Sequence, residues 1–199
     1  MEFSFDWKAD QIKPGQRCRC RPVCRDDLHH MAKWPRNNDV KEAPYVDFSR
    51  DRLSMENWYK SRTLTDYKRT WTVLDENDKP IGRIGIALVD TVRKEGLLSI
   101  RLRSDRLRLG YGLDSLQAVL DYWFSTLAME TMNLDVSILN TGAINLYEKL
   151  GFRLSGYHWV PIQRRHIVPG TSDSGFVRYL DMNLDHEQWH KKHHDEKTK

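Results

Sequence analysis

Hydrophobic residues along this chain fall into short runs of two kinds. Over 69–74, 81–89 and 96–102 apolar and polar positions mostly alternate, the period of a half-buried strand, and DENDKP reads as the turn joining the first two runs. From Leu113 the period changes: Leu113, Leu116, Val119, Leu120, Trp123, Phe124 and Leu127 recur at three- and four-residue spacings, which predicts a helix with one apolar face. A strand over 134–139 follows. A second helix then runs through Ala143, Leu146, Tyr147 and Leu150, with Asn140 and Thr141 offering cap chemistry and Gly151 a stop. Upstream, 17–23 alternates like a strand, Asp26 or Asp27 can cap a short helix through Met31 to Trp34 that Pro35 ends, and Leu53, Ser54, Trp58 and Tyr59 suggest another. Strands at 152–160 and 176–184 flank a long loop, and beyond Asp185 the chain is polar and expected to fray.

Between the strand at 96–102 and the helix from Leu113 stands Gly110-Tyr111-Gly112. A glycine turn opening a helix aims several unpaired backbone N–H groups, and the positive end of the helix dipole, at one point. Such a point suits an anion, above all a phosphate. The order strand, anion turn, helix, strand, helix suits a nucleotide-bearing cofactor laid across strand ends.

The pairing of that turn with NTGAINLYEKLGF, 140–152, resembles the GCN5-related N-acetyltransferases (GNAT), most closely the branch of the ribosomal-protein N-terminal acetylases. Arg21-Pro22 with Asp27-Leu28 fits an early element of such families, and the resemblance extends loosely over 17–184. It implies an α/β (α+β) fold, a single-domain mixed, splayed, mostly antiparallel sheet with helices on both faces, and acetyl-coenzyme A (acetyl-CoA) as co-substrate. The division it implies is an N-terminal extension over 1–16, the acetyltransferase domain over 17–185 and a polar, flexible tail over 186–199.

The same resemblance assigns roles. The cofactor would be held by main chain of Leu107, Arg108, Leu109, Gly110, Tyr111, Gly112 and Leu113, by Asn140 and Asn145 along its arm, and by main chain of Ile100 and Leu102 pairing with the pantetheine. Tyr147 would be the general acid for the departing thiolate; a phenol titrates near 10, close to a thiol. The family turn begins with Gln or Arg where this chain has Leu107, and Arg106 and Arg108 flank that position. Where many relatives carry a glutamate base, this chain has Leu97, and Glu95, two residues away on the same strand face, is the substitute. Trp34, Trp58 and Tyr59, with Arg164, Arg165 and His166, fall on the acceptor side.

An α-amine has a reference pKa near 8 against about 10.4 for lysine, a difference of roughly 3 kcal/mol in reaching the neutral form. A site without a strong base therefore favours a peptide N-terminus or another low-pKa small-molecule amine. Loss of the base and of the turn Gln/Arg also fits a non-catalytic acyl-CoA sensor of the same fold.

Composition narrows the class. The chain has 199 residues, enough for one sizeable core, with no Pro/Gly/Ser-rich linker and no repeat. Its formal charge of +4 comes from interspersed residues, a solvated surface rather than a nucleic-acid stripe. No apolar stretch reaches membrane-span length and MEFSFDWKAD lacks the layout of a signal peptide, so a cytoplasmic protein is expected, with a homodimer as an assembly the chain admits. Cys18, Cys20 and Cys24 are read as reduced, inert thiols rather than a zinc knot. HEQWH, 186–190, matches the zinc-peptidase pattern but has no clear third ligand after it; no metal is expected.

Overall fold

The computed structural model describes residues 5–7, 12–35, 52–63, 65–161 and 176–193. These fall into two compact units, one running to Met132 and one from Asn133.

The first unit is built on β1 (Arg19–Pro22), β2 (Arg69–Leu74), β3 (Pro80–Asp90) and β4 (Glu95–Leu102), paired antiparallel in that order. The register sets Pro22, Trp71, Ile84 and Ile100 in one row across the sheet and Arg21, Thr72, Arg83 and Arg101 in the next. Neighbouring rows point to opposite faces. Every residue of β2 except Arg69 is buried, so both faces are covered. On the Thr72 face lie α1 (Arg25–Ala32) and α2 (Arg52–Thr63), where Val23, Leu28, Met31, Trp34 and Trp58 form an apolar cluster. On the Trp71 face lies α3 (Tyr111–Asp121), continued by a π-helical turn at Tyr122–Thr126 whose Tyr122 ring meets Trp71 edge-on at 5.7 Å. The first unit by itself thus shows an antiparallel sheet with helices on both faces, in keeping with the expected fold class.

The helix expected from Leu113 to Leu127 changes character at Tyr122, and the following residues explain why. Tyr122, Trp123 and Phe124 are consecutive and all buried, which the narrow stripe of a regular α-helix does not accommodate. Trp123 fits against Gly96 of β4, where a Cβ would lie 2.7 Å from the indole. The N-terminal extension is anchored at Trp7. Trp7 is buried, donates its indole N–H to the Asp66 carbonyl at 2.8 Å and packs on Trp71.

In the second unit the strand order is β5 (Thr131–Ser137), β7 (Phe176–Asp185), β6 (Arg153–Pro161), with β6 and β7 antiparallel. Helix α4 (Thr141–Leu150) occupies the predicted position and ends on left-handed Gly151. β5 begins three residues earlier than the pattern at 134–139 implied, because Met132, Leu134 and Val136 supply its buried alternation and 138–139 form the turn into α4. The expected frayed tail instead starts as α5 (His186–His193). Asp185 accepts the Gln188 N–H at 2.7 Å, and Trp189 is buried against the unit.

Asp27 is the electrostatic anchor of the first unit. It sits in the first turn of α1, with Cys24 rather than an aspartate at the cap position, and accepts the Cys24 N–H at 2.9 Å. Arg21 grips its carboxylate with two N–H groups, at 2.7 and 2.8 Å, and the Thr72 hydroxyl donates at 2.6 Å. Burial pushes the carboxyl pKa up, but these donors outweigh it and hold the group below its usual value. Because the folded pKa is depressed, the stabilisation is complete above the unfolded value of about 3.9 and is lost as pH falls through the folded one. Asp27→Asn is expected to cost about 2 kcal/mol at pH 7, less than a fully buried pair because Arg21 is partly exposed. Chemical denaturation of both proteins from pH 7 to 3 checks this: the gap narrows in acid, and a constant gap refutes the ionic account.

Candidate active site

After β4 the chain makes a 3-10 turn at Ser104–Arg106 and reaches α3 through two left-handed residues, Arg108 with φ 62° and Gly110 with φ 89°. Gly110 takes that conformation at little cost; Arg108, a non-glycine, bears some strain. The Gly110 carbonyl accepts the Asp114 N–H at 3.1 Å, the first bond of the helix. The N–H groups of Tyr111, Gly112 and Leu113 therefore precede the ladder and have no intrahelical acceptor. Leu107 and Leu109 are exposed on the turn, 39% and 49%, so apolar side chains line its approach. The Tyr111 ring is buried, and its hydroxyl donates to Glu76 at 2.7 Å, tying the turn to the β2–β3 connection. A cluster of unpaired N–H donors at a helix start fits a diphosphate, whatever the side chains.

The arginines beside the turn are not equivalent. Arg106, expected to reach a pyrophosphate, lies 3.7 Å from the buried carboxylate of Asp75, and Arg103 pairs with Asp105 at 2.8 Å. Arg108 stays exposed.

Sequence reasoning missed the clasp behind the turn. Asp114, in the first turn of α3, accepts the backbone N–H of Gln16, Arg17 and Cys18 at 2.8, 2.8 and 2.9 Å, and the Cys18 thiol at 3.2 Å. Burial raises its pKa, and the Arg17, Gln16 and Cys18 donors more than reverse that. Burial, then the bond to Asp114, pushes the Cys18 thiol far up; Cys20 is pushed up to about 12 by burial and by the Asp114 charge. Gly15 admits the clasp, since any Cβ there would collide with the Asp114 carboxylate. The same fold of chain lays Arg17 over Gly110, its Cδ and Nε 3.3 Å from where a Cβ on that glycine would stand. Nothing in the sequence links positions so far apart.

Along β4, the Arg103 N–H donates to the Ile81 carbonyl at 2.8 Å, which fixes the ladder's phase. Odd-numbered residues bond toward β3, so the main-chain groups of Ile100 and Leu102 point to the opposite edge. Leu97 shares the Thr72 face with Ser99 and Arg101. Glu95 is half-buried at the strand start with Arg93 at 3.6 Å, a surface charge pair. Trp34 and Trp58 are buried in the α1/α2 cluster with Tyr59 half-buried against it, so these rings pack the core, and Arg83 lies over Trp58 at 4.9 Å. Arg164, Arg165 and His166 lie outside the described residues.

In the second unit the Asn140 side chain accepts the Ala143 N–H at 3.2 Å and caps α4, while Asn145 is exposed. Tyr147 follows roughly two turns after the cap on the same helix face. Its ring is buried edge-on to Phe152 at 5.7 Å, and burial, then the charge of Asp135, raises the phenol well above its usual value. In α5 the rings of His186 and His190 lie 4.2 Å apart, and among the described residues no group of three or more His, Cys, Asp or Glu could hold a metal.

The model of the acetyltransferase (GNAT) domain matches residues 17–153, a stretch that contains the glycine turn, Asn140 and Tyr147. The chain belongs to the GNAT acetyltransferases. It is thereby an acetyl-CoA-dependent N-acetyltransferase. It is 23% identical to the spermidine N(1)-acetyltransferase of Vibrio cholerae over 141 residues, 69% of this chain and 79% of that protein. It is 26% identical to the N-alpha-acetyltransferase of Sulfurisphaera tokodaii over 163 residues, 77% of this chain and 87% of that protein. The crystal structure of spermidine N-acetyltransferase from Vibrio cholerae in complex with CoA and spermine superposes with TM-score 0.69 at 20% identity, covering 86% of this chain and 97% of that one. The expected placement nearest the ribosomal-protein acetylases is thus corrected: spermidine acetyltransferases recur among the relatives. No helix among the described residues is long and apolar enough to cross a membrane.

The clasp makes a prediction. At pH 8, iodoacetamide leaves Cys18 and Cys20 unmodified in the native protein, as peptide mass spectrometry would read. Gly15→Ala destabilises the fold by about 1–3 kcal/mol, the cost of overpacking, and makes Cys18 reactive. An unchanged Cys18 in a protein of unchanged stability means that Gly15 does not govern the clasp.

Proposed function

We propose that this chain transfers the acetyl group of acetyl-CoA to a primary amine of a small molecule or peptide N-terminus, by direct amine attack with Tyr147 as general acid. The observation that carries the proposal is that one GNAT match spans both the left-handed glycine turn at the mouth of α3 and the Asn140-capped helix bearing Tyr147.

Bound acetyl-CoA supplies an activated thioester and a thiolate leaving group. The N–H groups of Tyr111, Gly112 and Leu113 hold its diphosphate, and Asn140 and the main chain of Ile100 and Leu102 lie along its arm. The amine lone pair attacks the carbonyl carbon, the C–S bond breaks, and the thiolate receives the Tyr147 proton; the new amide nitrogen gives up its extra proton, and the phenolate is reprotonated from solvent. The phenol is protonated at neutral pH, the form that donates, and it hydrogen-bonds to charge as it develops on sulfur before the proton passes.

Relatives named for spermidine suggest a small aliphatic amine, and the residues set a condition on it. Leucine at position 97 takes no proton, and Glu95 is a charge-paired strand-start residue. The acceptor is therefore a low-pKa primary amine in preference to a fully protonated polyamine. In a thiol-release assay with wild-type protein, amino-acid and peptide α-amines turn over faster than spermidine or lysine side chains at pH 7; the reverse order refutes the preference. Tyr147→Phe lowers kcat about a hundredfold with CoA affinity unchanged. Undiminished turnover removes the acid assignment, and absence of thiol release with every amine, despite CoA binding, turns the reading to an acyl-CoA sensor.

A further inference from the structure

The turn before α3 is rich in arginine, yet two of its guanidinium groups are engaged: Arg103 by Asp105 at 2.8 Å and Arg106 by Asp75 at 3.7 Å. Leu107 and Leu109 carry no charge, and Arg108 projects from an exposed, left-handed position. The cation that lies on the glycine turn comes from elsewhere in the chain. Arg17, just ahead of β1, has its Cδ and Nε 3.3 Å and its Cζ 3.8 Å from the position of a Cβ on Gly110. It is exposed, and no carboxylate pairs with it among the described residues.

Its placement is enforced through the main chain. Asp114 holds the N–H groups of Gln16, Arg17 and Cys18, and the Gly15 N–H donates to the Cys18 carbonyl at 2.9 Å, so the backbone under Arg17 is a closed loop fixed to the first turn of α3. The start of the helix thus holds the main chain of an arginine beside its own unpaired N–H groups. A guanidinium carried on this fixed backbone offers a planar, multi-donor partner for phosphate oxygens at the turn. Leaving glycine at 110 keeps open the space that the Arg17 stem crosses.

Resting on the acetyl-CoA reading above, we propose that Arg17 supplies the side-chain cation for the diphosphate of the bound acyl-CoA, replacing from the β1 approach the charge that position 107 lacks. The glycine turn provides N–H donors and Arg17 neutralises charge from above them. Asp114 acts as a positioning residue: its own charge is spent on three backbone donors, so it orients Arg17 without opposing the anion at close range.

Isothermal titration of wild-type, Arg17→Ala and Arg17→Lys proteins with CoA, 3′-dephospho-CoA and acetyl-pantetheine tests the assignment. Arg17→Ala weakens CoA and 3′-dephospho-CoA equally, by about tenfold, the scale of one charge-assisted hydrogen bond. Acetyl-pantetheine, which has no diphosphate, binds both proteins alike, and Arg17→Lys restores part of the loss by keeping charge without the planar fork. A loss confined to CoA places Arg17 on the ribose phosphate and overturns the proposal, as does an unchanged affinity. The Asp114 bond uses the Arg17 main chain, so unliganded melting temperatures stay within a degree or two; a variant that melts much earlier contradicts the passive backbone role given to that residue. Failure of wild-type protein to bind CoA removes the acetyl-CoA reading itself, an outcome distinct from any defect of the variants.

Discussion

One half-buried carboxylate organises the glycine turn at the start of α3. Asp114 gives up water for three backbone N–H groups and a thiol, and in doing so joins the start of α3 to the chain entering β1. Backbone N–H groups at a chain reversal and a carboxylate at a helix start are each incompletely paired on their own; together they satisfy one another. The consequence reaches beyond stability. Because α3 begins with the glycine turn, whatever fixes the first turn of α3 also fixes the direction of its unpaired donors. A diphosphate site made of main chain needs that rigidity, since donors that must reorganise on binding give back much of what they contribute.

Asp27 plays the matching part on the other face of the same sheet. It joins β1 through Arg21, β2 through Thr72 and α1 through Cys24, so the strand that leaves the Asp114 clasp enters a second ionic junction within a few residues. β1 is only four residues long and forms one edge of the first unit's sheet, with too few ladder bonds to hold its own register. Two carboxylates, one at each end, do that instead. The apolar cluster around Trp34 and Trp58 then packs against a sheet whose edge is already set.

Legibility in the sequence followed the range of the forces involved. The central strands and α4 could be read directly, because alternation, three-and-four spacing and a left-handed Gly151 are local signals that tertiary structure reinforces. The glycine turn was legible for the same reason. What escaped was either long-range or a conflict between local rules. The Asp114 clasp spans nearly a hundred positions and uses main-chain donors, which leave no mark on residue identity beyond Gly15. The π turn arises where three adjacent aromatic residues all seek burial, a demand invisible to a periodicity count that scores each one as helical. In α5 a single buried Trp189 and the Asp185 cap outweigh a polar composition that reads as tail. The acceptor-side aromatics were placed by the resemblance and not by any local signal, and Trp34 and Trp58 pack in the α1/α2 apolar cluster.

The division of labour between main chain and side chain also explains why resemblance fixes the donor substrate more firmly than the acceptor. On the proposed reading, diphosphate and pantetheine are met by N–H and C=O groups, which depend on backbone conformation and not on residue identity. An amine is met by side chains, and it must arrive with a free lone pair. Where the site has a carboxylate base it can draw the proton from a strongly basic amine; where the corresponding strand position is Leu97, deprotonation has to happen in water, at a free-energy cost that grows by about 1.4 kcal/mol for each unit of amine pKa above ambient pH. On the proposed reading the acceptor is selected less by shape than by its own acidity, and likeness of fold to the spermidine acetyltransferases does not by itself carry over their substrate.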